Sequence, residues 1–88
     1  SMSEIESKTQ TEHLRDVTSQ LKEMRHYAQT NTETLSSQWL AFDEGEYKDP
    51  SAAEKINQLL NQQGTLLEAL DAAIQDFEIE ANRIENEA

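Results

Sequence analysis

Two long segments with helical periodicity, joined by a short break, predict an all-α fold: an antiparallel hairpin of two helices. In both segments apolar residues recur at alternating spacings of three and four, which places them on one face of an α-helix. The break holds the only Pro and one of the two Gly residues, whereas a β fold would need more turn formers. We expect one domain over residues 1–88, with a helix at about 4–42, a turn at 43–50 and a helix at about 51–86.

The first helix carries an apolar seam of alternating a and d heptad positions over four heptads, which neither Gly nor Pro interrupts. Tyr27 and Trp39 are predicted to flank this seam on opposite sides. The members of the seam are Leu14, Val17, Leu21, Met24, Ala28, Asn31, Leu35, Gln38 and Phe42.

The segment DEGEYKDP, residues 43–50, contains the signals for the turn. Gly45 is predicted to end the first helix in the left-handed conformation, and Pro50 cannot continue that helix. Two caps fit the start of the second helix: a capping box from Ser51 to Glu54, or Asp49 directly before Pro50. Both place that start between residues 49 and 52.

The second helix has the stronger seam, formed by Ala53, Ile56, Leu60, Gln63, Leu67, Leu70, Ile74, Phe77, Ala81 and Ile84. Leu59, Leu66 and Ala73 widen it into a stripe that one partner helix cannot cover. Because a two-helix core is also small, we expect two hairpins to associate into an antiparallel four-helix bundle. Gly64 lies within this helix, which predicts either a close helix approach or simple tolerance rather than a hinge.

Asn31 and Gln63 are polar residues at d positions of the two seams. They could face one another in a buried polar layer, which would fix register and partner choice. Alternatively, each could reach solvent at the edge of a thin bundle. Both interpretations remain open from the sequence.

Composition excludes several classes of function. A net charge of −11 argues against nucleic-acid or anionic-membrane partners. No apolar run approaches the ~20 residues of a membrane span, and the polar residues 1–13 lack the apolar core of a cleaved signal peptide. There is no Cys, His13 and His26 fall off the seam, and all acids fall off the core. We therefore expect no catalytic, cofactor or metal site and no enzyme activity.

The residues predicted to bind a partner are the larger apolar residues of both stripes. Trp39 is expected to anchor the hairpin end and to serve as an interface anchor, since Trp dominates interface energetics. The set comprises Leu21, Met24, Leu35 and Trp39 on the first helix, and Leu59, Leu60, Leu66, Leu67, Leu70, Ile74 and Phe77 on the second.

The layout resembles the small WXG family of type VII secretion proteins, which are early-secreted-antigen-like helical hairpins. The resemblance covers nearly the whole chain, and the first-helix seam carries it as Leu21, Met24, Ala28, Leu35 and Trp39, followed by a second amphipathic helix of similar length. It implies a non-enzymatic protein that acts as a homo- or heterodimer with itself or a homologous hairpin. The implied role is a secretion substrate, or a partner that binds the helical domain of an LXG toxin and brings it to the secretion machinery.

The chain departs from the family pattern at two places. Trp39-Leu40-Ala41 stands where the family has Trp-X-Gly, and no Tyr-X-X-X-Asp/Glu export signal follows the second helix. The resemblance thus implies a divergent member, cytoplasmic before export, secreted without a cleaved signal and dependent on a partner for the export signal. A type III secretion needle-like subunit or small helical chaperone stays open because of Lys48-Asp49-Pro50 at the turn, as does a generic coiled-coil adaptor.

Overall fold

The computed structural model describes residues 2–87, with the side chains of residues 9–87, and contains two long helices. Helix α1 spans Met2–Asp43 and helix α2 spans Pro50–Glu87. They pack against each other as an antiparallel hairpin that measures 66 × 14 × 14 Å between Cα atoms. The predicted all-α hairpin is therefore confirmed, whereas its association into a four-helix bundle stays a prediction.

The turn is closed by backbone hydrogen bonds, and Gly45 is needed there for a reason other than the predicted one. The N–H groups of Glu44 and Gly45 both donate to the carbonyl oxygen of Leu40. The predicted left-handed conformation is wrong, because Gly45 has no positive φ. Instead, a Cβ at this position would lie 2.8 Å from the Cα of Ala41 and 2.9 Å from its carbonyl oxygen. Gly45 is thus required by close backbone approach.

Helix α2 begins with Asp49 as its N-cap. The Asp49 side-chain oxygen accepts a hydrogen bond from the N–H of Ala52 at 3.1 Å, and its carbonyl accepts the N–H of Ala53 at 2.9 Å. Pro50 occupies the first helical position, where a backbone N–H has no partner within the helix, so the absence of this group in proline costs no hydrogen bond. Of the two caps that the sequence allowed, the structure uses Asp49. The capping box is not formed, because Ser51 already lies inside the helix.

The predicted seam of α2 is confirmed by burial. Its a and d positions face α1 along the whole length of the helix, and the remaining members of the seam are half-buried. The buried members are Ala53, Leu70, Ile74, Ala81 and Ile84.

The seam of α1 differs from the prediction at every second position. Val17, Met24, Asn31 and Gln38 were expected to face α2, but Val17 is only half-buried, Met24 is 50% exposed, and Asn31 and Gln38 are exposed. In each case the next residue in the sequence faces α2 instead; these residues are Thr18, Arg25, Thr32 and Trp39. The face of α1 that meets α2 is therefore rotated by about 50°, half of the ~100° between consecutive helical residues. The observed seam is Thr11, Leu14, Thr18, Leu21, Arg25, Ala28, Thr32, Leu35, Trp39 and Phe42.

Polar residues can occupy this seam because their polar atoms are satisfied within the hairpin. The hydroxyl of Thr18 donates to the carbonyl of Leu14 at 2.7 Å, and that of Thr32 to the carbonyl of Ala28 at 2.9 Å. A threonine bonded in this way presents its methyl group to the neighbouring helix at little desolvation cost. Trp39, predicted to flank the seam, lies in it and is half-buried beside the turn.

Three ion pairs connect the helices along one edge. Arg15 meets Glu85 at 2.7 Å, Lys22 meets Glu78 at 2.8 Å, and Arg25 meets Asp71 at 2.7 Å. We call these six residues the charged edge. A hydrogen bond from Lys22, together with its positive charge, lowers the pKa of the Glu78 carboxyl below its ordinary value. Stabilisation from this pair is therefore present above the pKa of an unfolded glutamate, and it is lost as the pH falls through the lower folded pKa.

The two glycines predict opposite effects of the same substitution. Gly45→Ala forces a Cβ into backbone atoms and should lower the free energy of unfolding by about 1–3 kcal/mol. A Cβ at Gly64 would meet no neighbouring group within 4 Å. This excludes a close helix approach as the reason for the glycine, so the helix simply tolerates it. Gly64→Ala should therefore raise the free energy of unfolding by about 1 kcal/mol. Urea denaturation of both variants at one protein concentration measures the pair, and equal stabilities would contradict the role assigned to Gly45.

The ion pairs predict two independent carboxyl titrations. Lys22→Met should raise the pKa of Glu78 towards its ordinary value, because Lys22 is the main cause of its lowering. The pKa of Glu80 should not change, since it is lowered by a hydrogen bond from Arg83 on the same helix. Arg83→Met is the matched control and should move Glu80 alone. Carbon-detected NMR titration resolves both carboxyls. A Glu78 pKa that is insensitive to Lys22→Met would show that the helices do not pair in this register.

Candidate interaction surface

The positions of the charged edge determine what lies on the opposite side of the hairpin. Met24 is two residues after Lys22, and Ala73 is two residues after Asp71. Two residues along a helix correspond to a rotation of about 200°. Met24 and Ala73 therefore both lie on the side away from the ion pairs, and the antiparallel register places them level with each other.

This opposite side carries no charged residue along the central part of the hairpin. Steps of three and four residues pass through uncharged side chains only from Val17 to Gln38 on α1 and from Ala73 back to Leu59 on α2. Beyond Ala73 the same side of α2 carries Asp76 and Glu80. We call this surface the uncharged face. It comprises Val17, Gln20, Met24, Tyr27, Asn31, Thr34 and Gln38 on α1, and Leu59, Gln62, Leu66, Ala69 and Ala73 on α2.

The large apolar residues of the uncharged face are accessible to a partner. Met24 is 50% exposed and Tyr27 58% exposed on α1, while Leu59 is 46% and Leu66 40% exposed on α2. Single exposed apolar residues are normal on protein surfaces, but a row of them without charges is typical of interaction sites. The rotation of α1 enlarges this row, because it turns Met24 out of the seam.

The structure divides the predicted partner-binding residues into three groups by burial. Leu70 and Ile74 are buried against α1. A second set is half-buried along the hairpin seam and comprises Leu21, Leu35, Trp39, Leu60, Leu67 and Phe77. Met24, Leu59 and Leu66 are exposed and lie together on the uncharged face. Tyr27, which the sequence placed beside the seam, joins these three.

Asn31 and Gln63 do not form a shared polar layer. Asn31 is exposed on the uncharged face, whereas Gln63 is half-buried in the seam. The side-chain oxygen of Gln63 is buried and has no hydrogen-bond partner among the described residues. The two open interpretations thus apply to different residues: Asn31 reaches solvent, and Gln63 is a polar group within the hairpin seam.

Each cation of the charged edge is paired, which makes this edge a poor site for an anionic ligand. A shallow depression of about 370 Å³ lies there, lined by Arg15, Thr18, Ser19, Lys22, Glu78, Ala81 and Asn82. Its two cations are paired with Glu85 and Glu78. Among residues 9–87, whose side chains are described, no three His, Asp or Glu side chains are grouped so that they could hold a metal ion. Within the same range, neither helix has a stretch apolar enough to cross a membrane.

No protein-family model, no curated protein and no solved structure matches the chain.

Proposed function

We propose that this chain is a non-enzymatic protein-interaction module that packs against a second helical hairpin to form a four-helix bundle. The observation that carries the proposal is the uncharged face, with its four accessible large apolar side chains on a hairpin only 14 Å wide. Such a hairpin buries a single seam and has little core of its own. Covering the uncharged face would remove from water the part of the α2 stripe that α1 leaves open.

We propose type VII secretion as the setting, with the chain acting as a substrate or as the partner that targets a toxin. The support is the two-helix layout, together with the half-buried Trp39 near the end of α1, four residues before Asp43. The missing Trp-X-Gly glycine, with Ala41 in its place, sets the chain apart from the family pattern and favours the targeting role over that of a typical substrate. The type III alternative gains no support, because N-capping of α2 already accounts for Asp49 and Pro50.

The setting is tested by export and by co-purification. The chain is expressed in its host with and without the neighbouring membrane-anchored secretion ATPase, and culture medium is compared with cell contents. We expect the chain in the medium only when the ATPase is present. We also expect it to co-purify with a neighbouring LXG toxin through the toxin's helical domain, and not with the isolated toxin domain. Retention in the cell combined with absence of binding to any neighbouring gene product would overturn the proposal.

A further inference from the structure

We infer that the middle of the hairpin is a site of local opening, at which α1 and α2 part while the turn and the far end of the hairpin stay paired. We call residues 29–38 of α1 and 57–69 of α2 the middle segment, and residues 9–28 and 70–87 the distal half. Burial, charge, an unpartnered polar atom and helix propensity each support the inference. The opening goes beyond the proposed function and does not depend on it.

Burial is uneven along the seam. No residue of the middle segment is buried, and its seam residues Leu35, Leu60 and Leu67 are only half-buried. On the turn side, Ala53 is 6% exposed. The buried side chains of the distal half are Thr11, Thr18, Ala28, Leu70, Ile74, Ala81 and Ile84. Because apolar burial is the main force that holds two helices together, the middle segment is the most weakly held part of the described seam.

The ion pairs between the helices lie in the distal half. Among the described residues, the pair of Arg25 with Asp71 is the one nearest the turn. From there to the end of α1 the sequence has no Lys or Arg, and α2 has only Lys55 before Asp71. Glu33 and Glu68 therefore have no cation within the middle segment with which to pair. Attraction between opposite charges thus ends where the buried part of the seam ends.

Gln63 places a polar atom without a partner in the middle segment. Its Oε1 is buried, and no hydrogen-bond donor reaches it among the described residues. Burying such an atom costs free energy, and the cost is removed when the helices part and water hydrates the amide. The space beside it is open, since a Cβ at the neighbouring Gly64 would meet nothing within 4 Å. Opening therefore relieves a penalty that only the closed hairpin carries.

Weak helix-forming residues of the two helices lie level with each other in the middle segment. Seven residues towards the turn from Arg25 and Asp71 are Thr32 and Gly64. Thr32 lies in the sequence TNTET, and both Thr and Gly are poor helix formers. The hydroxyls of Thr32 and Thr65 donate to the carbonyls four residues earlier, at 2.9 and 3.1 Å, which slightly destabilises a helix. A parted middle segment therefore loses helical structure easily.

Local opening frees apolar side chains that the closed hairpin half-buries. Leu35, Leu60 and Leu67 are the largest of these in the middle segment. Only the open fraction of molecules presents them fully, so a partner that binds them shifts the chain towards the open state. This consequence rests on the proposed function, whereas the opening itself is a property of the free chain.

The test is native-state hydrogen exchange of single amides, followed by NMR at low concentrations of denaturant. A helical segment that has parted from its neighbour is marginal in water, so its amides exchange with solvent. We expect the amides of residues 30–38 and 60–67 to be at least about tenfold less protected than those of 14–28 and 70–81. Fraying from the chain termini alone predicts a different profile, in which protection rises steadily towards the turn.

Gln63→Leu tests the cause of the opening. It replaces the unpartnered amide with an apolar side chain of similar size and should raise protection in the middle segment by about tenfold. Gln58→Leu is the matched control, because it makes the same substitution at an exposed residue of the same segment, and it should leave protection unchanged.

Two results would overturn the inference: protection that rises steadily towards the turn in the unmodified chain, or equal responses to Gln63→Leu and Gln58→Leu. Hydrogen exchange of the free chain measures neither export nor co-purification. A chain that opens but is never exported and binds no neighbour removes only the proposed setting, whereas an exported chain without local opening removes only this inference.

Discussion

The single seam between α1 and α2 determines the rest of this hairpin. Much of the seam is lined by small residues, with Thr18 and Ala28 on one helix and Ala53 and Ala81 on the other, none more than 6% exposed. Small side chains allow two helices to approach closely, and close approach makes the rotation of each helix about its own axis specific. The rotation that α1 adopts buries Thr18 and turns Met24 outwards. The uncharged face is therefore a direct consequence of how the seam is packed.

The sequence predicted α2 well and α1 only in part, for a physical reason. In α2 the seam residues are mostly Leu, Ile and Phe, so apolar periodicity and burial agree. In α1 the periodicity favours Val17 and Met24, whereas the hairpin buries Thr18 and half-buries Arg25. Sequence periodicity does not show that the hydroxyl of Thr18 donates a hydrogen bond to the carbonyl of Leu14, or that Arg25 forms an ion pair with Asp71. Both facts depend on three-dimensional contacts that lower the cost of placing a polar residue at the seam.

The turn was also predicted only in part from the sequence. Two N-caps fitted the sequence, and the choice of Asp49 follows from its carboxylate reaching the N–H of Ala52. Gly45 was correctly identified as necessary but for the wrong cause, since its role depends on how closely the backbone of Ala41 approaches it in the folded turn. The uncharged face could have been found from sequence by sorting charges by heptad position. Recognising it as one continuous surface still required the ion pairs, which show which edges of the two helices lie on the same side.

A hairpin of this kind should couple its folding to its association. The described core includes six buried apolar residues, three of them alanines, and within the described residues the side-chain oxygen of Gln63 lies in the seam without a hydrogen-bond partner. Burying an amide oxygen without a partner costs about 1–3 kcal/mol, a large amount when the total stability of a small domain is only a few kcal/mol. A second chain on the uncharged face would add apolar burial that the single hairpin cannot supply, because its two helices share one seam. Any partner that binds the folded hairpin stabilises it by mass action, so the apparent stability should rise with partner concentration. Under the proposed function, the stripe left open by intramolecular packing is the part of the core that the second hairpin would complete.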